Sequence, residues 1–324
     1  MLILSESDVL RRLDAGRLIS ALEAAFCDRY SSVTIPQRTH LEIEDGILLL
    51  MPCYDRGGRT LGMKTVVVRE KDTGGEGRVR ASYLLLDLMS GQPRMTAGAK
   101  HMTAMRTAAT SSLATKYLAR EDAKVLGVIG TSTEARIHLE VLQLVRRFER
   151  FLVAGRMPKR TQAFAREMSQ SLKVEIEAVD AGTCAAGSDV LCTCTNSSTP
   201  LFDGGVVRPG THINAIGAFQ PHTRELDSSV VKRSQVVVES YDAALAEAGD
   251  LLIPIGEGAI GRDHIVADLH ELVTGAKTVR TSANDITLFK SVGNALEDLV
   301  AAELIAGIVL NGQGGSAVEE TRHD

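Results

Sequence analysis

Continuous apolar runs alternate with helical patterns from about residue 120 to residue 290. Apolar runs of this kind are typical of strands that are buried on both faces of a parallel sheet. The intervening stretches repeat apolar residues at helical spacing. The alternation predicts a doubly wound α/β domain. Its strands are expected at 124–130, 151–155, 174–180, 189–195, 212–217 and 235–240, and its first helices at 133–148 and 160–172.

The first 118 residues mix helical and strand-like stretches without regular alternation. Ser5-Glu6-Ser7-Asp8 is a capping segment that precedes one amphipathic stripe from Val9 to Phe26. Strands, a turn and a further helix follow within this stretch. The last helix of the chain is expected to pack back onto this first domain. These strands are expected at 47–54, 63–70 and 82–89, the turn at 72–78, and the helices at 102–119 and 285–309.

Composition and charge exclude several classes of function. A length of 324 residues favours two domains. The net charge of −5 argues against a duplex-binding surface, which needs clustered basic charge. Aromatic residues make up 4% and Trp is absent, so stacking platforms for single strands are not expected. The N-terminus lacks the apolar region of a signal peptide and no run of about 18 apolar residues occurs, so we expect a cytoplasmic protein without a membrane span.

The five cysteines predict neither disulfides nor a metal site. An odd, scattered set is unlike a disulfide framework. Cys192 and Cys194 are too close together for the usual paired zinc spacing, and no Cys/His pair lies nearby to complete four ligands. We therefore predict no metal and expect these thiols to be buried in a strand.

The corner between the first strand and helix of the α/β domain, Gly127 to Ala135, is a candidate phosphate-binding loop. Pyrophosphate binding needs a tight turn, a close backbone approach and a helix N-terminus aimed at the anion. Gly130 suits the turn, while Ser132 and Ala135 replace the second and third glycines of the usual motif. An ordinary strand-to-helix turn is the alternative. The position after an apolar strand and at the start of a helix favours a dinucleotide.

The end of the second strand of this domain bears on which dinucleotide binds. NAD-binding domains place an acidic residue there, which bonds the ribose hydroxyls. This chain has Gly155-Arg156-Met157-Pro158-Lys159-Arg160 instead. Guanidinium groups bind a 2′-phosphate bidentately, and cations at a helix N-terminus oppose the helix dipole unless an anion is near. A solvated basic loop is the alternative, but we predict NADP(H) in preference to NAD(H), with Arg156 and Arg160 as contacts.

Four segments resemble, in the right order, motifs of the ornithine cyclodeaminase/mu-crystallin family. The longest is HMTAMRTAATSSLA at 101–114, which is similar to the family's L-T-x-x-R-T-A-A-x-S-x-x-A helix. The others are GMK at 62–64, THINAIG at 211–217 and DITLFKSVG at 285–293. The resemblance extends from about residue 36 to residue 300.

The resemblance implies an α/β fold class and a two-domain organisation. A Rossmann-type dinucleotide-binding domain is assigned to residues 119–290. A discontinuous α+β domain for substrate binding and dimerisation is assigned to residues 1–118 and 291–324. A homodimer is implied, and a two-fold isologous dimer is the commonest assembly of this kind.

The resemblance also implies a substrate that is an α-amino acid or its imine and that is bound by its carboxylate. Arg38 and Arg106 resemble the family's carboxylate-binding arginines, and Lys64 resembles its catalytic lysine. A guanidinium fork suits a carboxylate, and a lysine ammonium can orient the substrate or move a proton near the imine nitrogen. Taken singly, an arginine on an alanine-rich helix is more often a surface charge or part of an ion pair.

Further positions are assigned to the binding sites by motif or resemblance. Val292 resembles a substrate contact, although core packing explains it nearly as well. His212 lies in an apolar strand and is expected to be a satisfied core histidine. The predicted cofactor contacts are Arg106, Thr107, Gly130, Ser132, Thr133, Glu134, Arg156, Arg160, Thr195, Asn214, Ala215, Ile216, Gly217 and Ser291, and the predicted substrate contacts are Arg38, Lys64, Arg106 and Val292.

One departure from the family pattern bears on the reaction. Cyclodeaminases have an aspartate, to which a catalytic role is assigned, two residues after the glycine of the third motif, whereas this chain has Phe219. Phe cannot accept a proton or orient water. Asp227 follows nearby but is expected to cap a helix. The resemblance therefore favours an NAD(P)H-dependent reductase of cyclic ketimine carboxylates, which converts Δ1-pyrroline-2-carboxylate or Δ1-piperideine-2-carboxylate to L-proline or L-pipecolate.

Two other functions stay open at this point. One is an ornithine cyclodeaminase or an alanine dehydrogenase-like amino-acid oxidoreductase. The other is a non-catalytic, mu-crystallin-like binding protein, since one fold can serve several functions. A pure binder would not need Lys64 and both arginines together, which argues against the second function. The expected partners are a small imino or amino acid and a second copy of the chain, without nucleic acid or membrane.

Overall fold

The computed structural model describes residues 1–71 and 79–307. The predicted turn at 72–78 and the end of the predicted first domain, 308–324, lie outside the described residues. The strands are β1 (Leu2–Leu4), β2 (Val33–Thr34), β3 (Thr39–Ile43), β4 (Gly46–Asp55), β5 (Thr60–Arg69), β6 (Val79–Asp87), β7 (Pro93–Gly98), β8 (Val125–Ile129), β9 (Arg150–Ala154), β10 (Ile176–Ala178), β11 (Val190–Thr193), β12 (His212–Ala215), β13 (Ser234–Val238), β14 (Ile265–Asp268) and β15 (Ile286–Lys290). The α-helices are α1 (Glu6–Arg12), α2 (Ala15–Asp28), α3 (Lys100–Leu118), α4 (Thr133–Val141), α5 (Pro158–Leu172), α6 (Ala181–Gly187), α7 (Ser228–Arg233), α8 (Tyr241–Glu247), α9 (Gly249–Gly256), α10 (Leu269–Val273) and α11 (Ala295–Ile305).

The chain divides into two compact units. The first contains residues 1–103 and the described residues from 295 onward, and the second contains residues 104–294. The divisions fall inside α3 and after residue 294, rather than after residues 118 and 290 as the sequence suggested. Most of α3 belongs to the second unit because side chains along it bond there, such as Ser111 to His138 at 3.0 Å and Thr115 to Asn214 at 2.9 Å.

The first unit is built on a mixed sheet with the strand order β1-β7-β6-β5-β4-β2, in which β3 also pairs with β4. The pair β1–β7 is parallel and the other pairs are antiparallel. Burial alternates along β4 and β5, and α11 packs on the face that carries the buried residues. The opposite face presents half-buried side chains, mostly apolar, at every second position: Leu48, Leu50, Pro52, Tyr54, Leu61, Met63, Val67, Leu84 and Leu86.

The second unit contains an eight-stranded sheet in the order β10-β9-β8-β11-β12-β15-β13-β14. All of its pairs are parallel. The chain runs outward from β8 through β9 to β10 and then returns to pair β11 with β8, so the winding direction reverses between β8 and β11. Two separate apolar clusters cover the two faces. These features confirm the predicted doubly wound α/β domain.

Three predicted helices differ from the observed ones. The stripe from residue 9 to residue 26 is broken, because the Asp14 side chain accepts the N–H of Arg17 and starts α2 afresh. The predicted helix at 133–148 ends as α4 at Val141 and continues only as a short 3₁₀ helix.

The prediction of one helix at 285–309 was wrong for the first half of that range. Residues 286–290 form β15, which lies between β12 and β13 in the sheet, and the helix begins only at Ala295. Apolar residues four apart, such as Leu288, Val292 and Leu296, gave a helical pattern. A buried strand, a turn and a buried helix in succession produce the same spacing, because β15 is buried at every position and carries apolar residues on both faces.

The structure also bears on the cysteines and on membrane insertion. All five cysteines are free thiols, and Cys192 and Cys194 are buried at the end of β11 as expected. None of the described helices combines the length and the hydropathy that crossing a membrane requires.

Candidate active site

The turn after β8 forms a close-approach corner. Gly130 has a φ of +141°, and a Cβ placed on it would lie 2.6 Å from the carbonyl oxygen of Cys194, so a side chain cannot be accommodated. Ser132 caps α4, because its hydroxyl accepts the N–H of Ala135 at 3.5 Å, and Thr133 and Glu134 form the first turn of that helix. A side-chain-free turn beside a helix N-terminus fits the pyrophosphate of a dinucleotide.

The predicted cofactor segments of three strands meet at one edge of the parallel sheet. Strand β11 pairs with both β8 and β12, so the carboxyl ends of all three strands lie together. Gly130 follows β8, Thr195 follows β11, and Gly217 follows β12. A Cβ on Gly217 would overlap the carbonyl oxygen of Thr195, which shows how closely these two segments pack. The winding reversal next to this edge is where ligands bind in open α/β sheets.

A buried glutamate that the sequence analysis missed ties these segments together. The Glu225 carboxylate accepts hydrogen bonds from the Thr193 hydroxyl at 2.8 Å, and at 2.7 Å from the Thr195 N–H, the Thr195 hydroxyl and the Gly217 N–H. Burial, followed by the negative charge of Asp250, raises the pKa of Glu225. No periodicity or motif marks Glu225 in the sequence, because its role depends on two distant strand ends coming together.

A buried ion pair of Asp250 and Lys290 is bonded to the backbone of Glu225 at the same edge. The Asp250 carboxylate accepts the N–H groups of Glu225 at 2.7 Å and Leu226 at 2.9 Å, and it lies 3.0 Å from the ammonium of Lys290. Lys290, the last residue of β15, also donates to the carbonyl oxygen of Ala215 at 3.1 Å. The ends of β12 and β15 are thereby linked to the glutamate that orders the cofactor edge.

The basic residues after β9 are all exposed. Arg156, Lys159 and Arg160 surround the start of α5, whose first turn contains no acidic residue. Met157 is the N-cap and makes no side-chain capping bond. Guanidinium groups at this position are free of competing carboxylates on their own helix turn, as a site for a phosphate requires.

Asn214 and His212 point into the interior of the second unit. The Asn214 amide donates to the Thr115 hydroxyl, and its oxygen lies 3.2 Å from His212 Nε2. His212 Nδ1 lies 3.0 Å from the Thr287 hydroxyl, and burial lowers the pKa of His212 to about 3. His212 is thus a satisfied, neutral core histidine, as predicted. Within 214–217 the buried side chains of Asn214 and Ala215 lie inside β12, while Ile216 and Gly217 follow the strand end.

Arg106 lies in the second unit beside the turn that follows β15. It is buried on α3 next to Thr107, which is also buried. A Cβ placed on Gly293 would lie only 3.0 Å from one terminal guanidinium nitrogen of Arg106. The predicted contacts Ser291 and Val292 precede this glycine and are buried too. The structure thus brings a predicted carboxylate-binding arginine next to the DITLFKSVG motif.

Lys64 lies on β5 in the first unit and is paired with a carboxylate. Its ammonium is 2.7 Å from Asp298 on α11, and the two side chains are 2% and 0% exposed. Tyr83 is directly opposite Lys64 in the β5–β6 ladder. Burial and then the charge of Asp298 raise the pKa of the Tyr83 hydroxyl. Gly62 leaves the room for that hydroxyl, since a Cβ there would overlap it.

Arg38, Phe219 and Asp227 are the other residues that the sequence analysis singled out. Arg38 is half-buried in the loop before β3 of the first unit. Phe219 is 45% exposed after the end of β12. Asp227 caps α7 by accepting the N–H of Val230 at 2.9 Å, as predicted. The described residues contain no group of three or more His, Cys, Asp or Glu side chains that could hold a metal ion.

Comparison with known proteins identifies relatives along almost the whole chain. The model of the ornithine cyclodeaminase/mu-crystallin family matches residues 1–313. A Delta(1)-pyrroline-2-carboxylate reductase of Bacillus cereus is 34% identical over 311 residues, which cover 94% of this chain and 95% of that protein.

Two solved structures have the same fold. The structure of Thermococcus litoralis Delta(1)-pyrroline-2-carboxylate reductase in complex with NADH and L-proline is 40% identical and covers 98% of this chain and 100% of that one, with a TM-score of 0.90. An archaeal alanine dehydrogenase dimer with bound NAD is 30% identical and covers 98% of this chain and 99% of that one, with a TM-score of 0.88.

Proposed function

We propose, from the premise that this chain belongs to the ornithine cyclodeaminase/mu-crystallin family, that it is an NAD(P)H-dependent reductase of cyclic ketimine carboxylates. The substrates are Δ1-pyrroline-2-carboxylate or Δ1-piperideine-2-carboxylate, and the products are L-proline or L-pipecolate. The observation that carries the proposal is the buried pair of Lys64 and Asp298, which places a lysine amine 2.7 Å from a carboxylate inside the first unit. The 40% identity to a reductase solved with NADH and L-proline supports the same substrate class.

The residues of this chain supply binding and proton transfer. Arg38 and Arg106 hold the substrate carboxylate with their guanidinium groups. Lys64 donates a proton to the imine nitrogen, which makes the imine carbon more electrophilic. The reduced nicotinamide, when bound, supplies the hydride for that carbon. The net reaction consumes one reduced nucleotide and one proton for each C=N bond converted to a C–N bond, and holding the reactants together provides much of the acceleration.

The nucleotide is proposed to occupy the edge formed by Gly130, Thr195 and Gly217. The closely packed turns and the α4 N-terminus at this edge support a pyrophosphate there. NADP(H) is proposed in preference to NAD(H), because Arg156 and Arg160 are exposed at the start of α5, where an acidic residue would otherwise bind the ribose.

The chain is proposed to form a homodimer, in the cytoplasm, through the half-buried apolar face of the first-unit sheet. Leu50, Met63 and Leu84 lie on neighbouring strands near the centre of this face. A contiguous apolar sheet face is typical of an interaction surface, and a two-fold axis allows the same face to cover itself. The related alanine dehydrogenase is a dimer, which supports this assembly.

The test is the loss of reduced-nicotinamide absorbance with Δ1-pyrroline-2-carboxylate, measured with NADPH and NADH in parallel. Rapid consumption supports the reductase, and a preference for NADPH supports the assignment of Arg156 and Arg160. The Lys64→Met variant should lose turnover while it still binds NADPH. Ammonia release from L-ornithine without imine reduction would contradict the proposal and indicate a cyclodeaminase despite Phe219.

A further inference from the structure

A buried glutamate after β13 holds the turn that follows β15. Glu239 comes directly after Val238, the last residue of β13. Its carboxylate accepts hydrogen bonds from the Ser291 hydroxyl at 2.6 Å, the Val292 N–H at 3.0 Å and the Gly293 N–H at 2.7 Å. Glu239 and Ser291 are both almost fully buried. One carboxylate therefore fixes three consecutive residues.

The turn that Glu239 holds lies directly against Arg106. Gly293 has a φ of +88°, and a Cβ placed on it would lie 3.0 Å from Nη2 and 3.2 Å from Nη1 of Arg106. The backbone of this turn thus lies close to the guanidinium. Because packed interiors leave little free space, the position of the turn limits where the guanidinium can lie.

The carboxylate is not needed to join the two strands. The ladder between β13 and β15 already runs from the pair Ser234–Ile286 to the pair Val238–Lys290. Glu239 acts beyond the end of that ladder, on a turn whose Ser291 N–H also bonds to the carbonyl oxygen of Ala215 on β12 at 3.1 Å. A buried carboxylate is costly unless it is well hydrogen-bonded, and such charge-assisted bonds are roughly twice as strong as neutral ones. The carboxylate therefore adds three hydrogen bonds to the turn beyond the one that β12 supplies.

We propose that Glu239 is a positioning residue that holds Arg106 in place for the substrate carboxylate. This inference rests on the proposed function, because it takes Arg106 as a carboxylate-binding group. A guanidinium binds a carboxylate through two parallel hydrogen bonds, and a displacement of about 0.5 Å is enough to spoil such geometry. Glu239 thus acts on substrate binding through Arg106, without touching the substrate.

The test is the Glu239→Gln variant, which keeps the shape but places an amide NH₂ among three donors. L-proline is titrated into protein saturated with NADPH, in which no reaction can follow. We expect the Kd of L-proline to rise about tenfold or more, as is usual when a bond to a charged group is lost. The KM of the imine should rise in parallel while kcat changes less. Glu177→Gln, on the edge strand β10, is the matched control and should bind L-proline like the wild type.

A double-mutant cycle with Arg106→Lys separates positioning from general loosening of the fold. Lysine cannot form the fork, so Glu239→Gln should cause little further loss in this background. Equal losses with Arg106 and with lysine would overturn the inference. So would wild-type binding of L-proline by folded Glu239→Gln protein.

If Glu239→Gln does not fold, Ser291→Ala removes only one of the three hydrogen bonds, and it should weaken L-proline binding less but in the same direction; no effect would overturn the inference. If the wild type binds NADPH but neither binds L-proline nor reduces the imine, the proposed function fails, and this inference fails with it. Failure of the inference alone leaves wild-type activity in place.

Discussion

The ammonium of Lys64 lies 2.7 Å from the carboxylate of Asp298, and both groups are shielded from water within the first unit. A buried ion pair usually costs more in desolvation than it returns in attraction. The same buried face of the sheet carries a second pair, between Asp55 and Arg29. The neighbouring Tyr83 and Cys53 stay neutral at physiological pH, because burial raises the pKa of each. Asp298 is thus the carboxylate in direct contact with the Lys64 amine.

We predict that Asp298→Asn shifts the alkaline limb of the pH–rate profile to lower pH. Without the anion, the charged form of the buried Lys64 is less favourable, so the proton needed by the imine is lost earlier as pH rises. The measurement is kcat/KM for the imine against pH. Asp55→Asn, which breaks a different buried pair with Arg29, is the control and should leave the limb in place. An unchanged limb in folded Asp298→Asn would remove Asp298 from the mechanism.

We predict that Gly293→Ala raises the KM of the imine by about tenfold or more, because a Cβ there meets the Arg106 guanidinium and φ is positive. The Kd of NADPH should change less. Gly275→Ala is a useful control, since its φ is also positive but its Cβ would meet nothing within 4 Å. Equal effects of the two substitutions on KM would show that backbone strain, rather than contact with Arg106, is responsible.

We predict that Arg156→Ala combined with Arg160→Ala weakens NADPH binding by about tenfold or more and leaves NADH binding nearly unchanged, because only NADPH carries the 2′-phosphate. Dissociation constants for both nucleotides measure this directly. Arg166→Ala, another exposed arginine of α5, is the control. Equal losses for NADPH and NADH would indicate general electrostatic attraction.

We predict that nucleotide affinity falls as the pH is lowered through the raised pKa of Glu225. The ionised carboxylate accepts the N–H groups of Thr195 and Gly217, and protonation replaces one acceptor with a donor. Because burial raises this pKa above its usual 4.5, the loss begins at a higher pH than for an exposed glutamate. Glu225→Gln should bind nucleotide more weakly and without this pH dependence; a parallel pH dependence in the variant would assign the titration to another group.

We predict that Met63→Asp converts the dimer to a monomer. Met63 lies at the centre of the half-buried sheet face and is paired with Leu84 on the neighbouring strand. A charge placed there would be buried without a partner in the dimer. Light scattering at several concentrations gives the mass. Leu88→Asp, at an exposed position after β6, should not change it. A monomeric wild type would contradict the assembly.

Local sequence patterns were enough to predict the α/β unit and several individual residues. The parallel α/β unit was predictable because strands buried on both faces are nearly continuously apolar, as at 125–129 and 236–238. Gly130 was predictable because a tight strand-to-helix turn needs a residue without a Cβ. Asp227 and His212 were correctly interpreted as a cap and a core residue, since both depend on neighbours close in the chain or on an apolar strand around them. The assignments of Arg38, Lys64 and Arg106 to the substrate stay predictions.

Tertiary structure alone decided the partners of the charged groups. Asp298 contacts Lys64, Glu225 accepts from Thr195, and Glu239 accepts from the turn before α11, in each case across 30 or more residues of the chain. The strand β15 was missed for a related reason, because its place between β12 and β13 buries all five of its residues and removes the alternation of buried and exposed positions. Sequence spacing reports which face a residue occupies within its own element. It does not report what the fold brings opposite that face, and that is where these carboxylates find their donors.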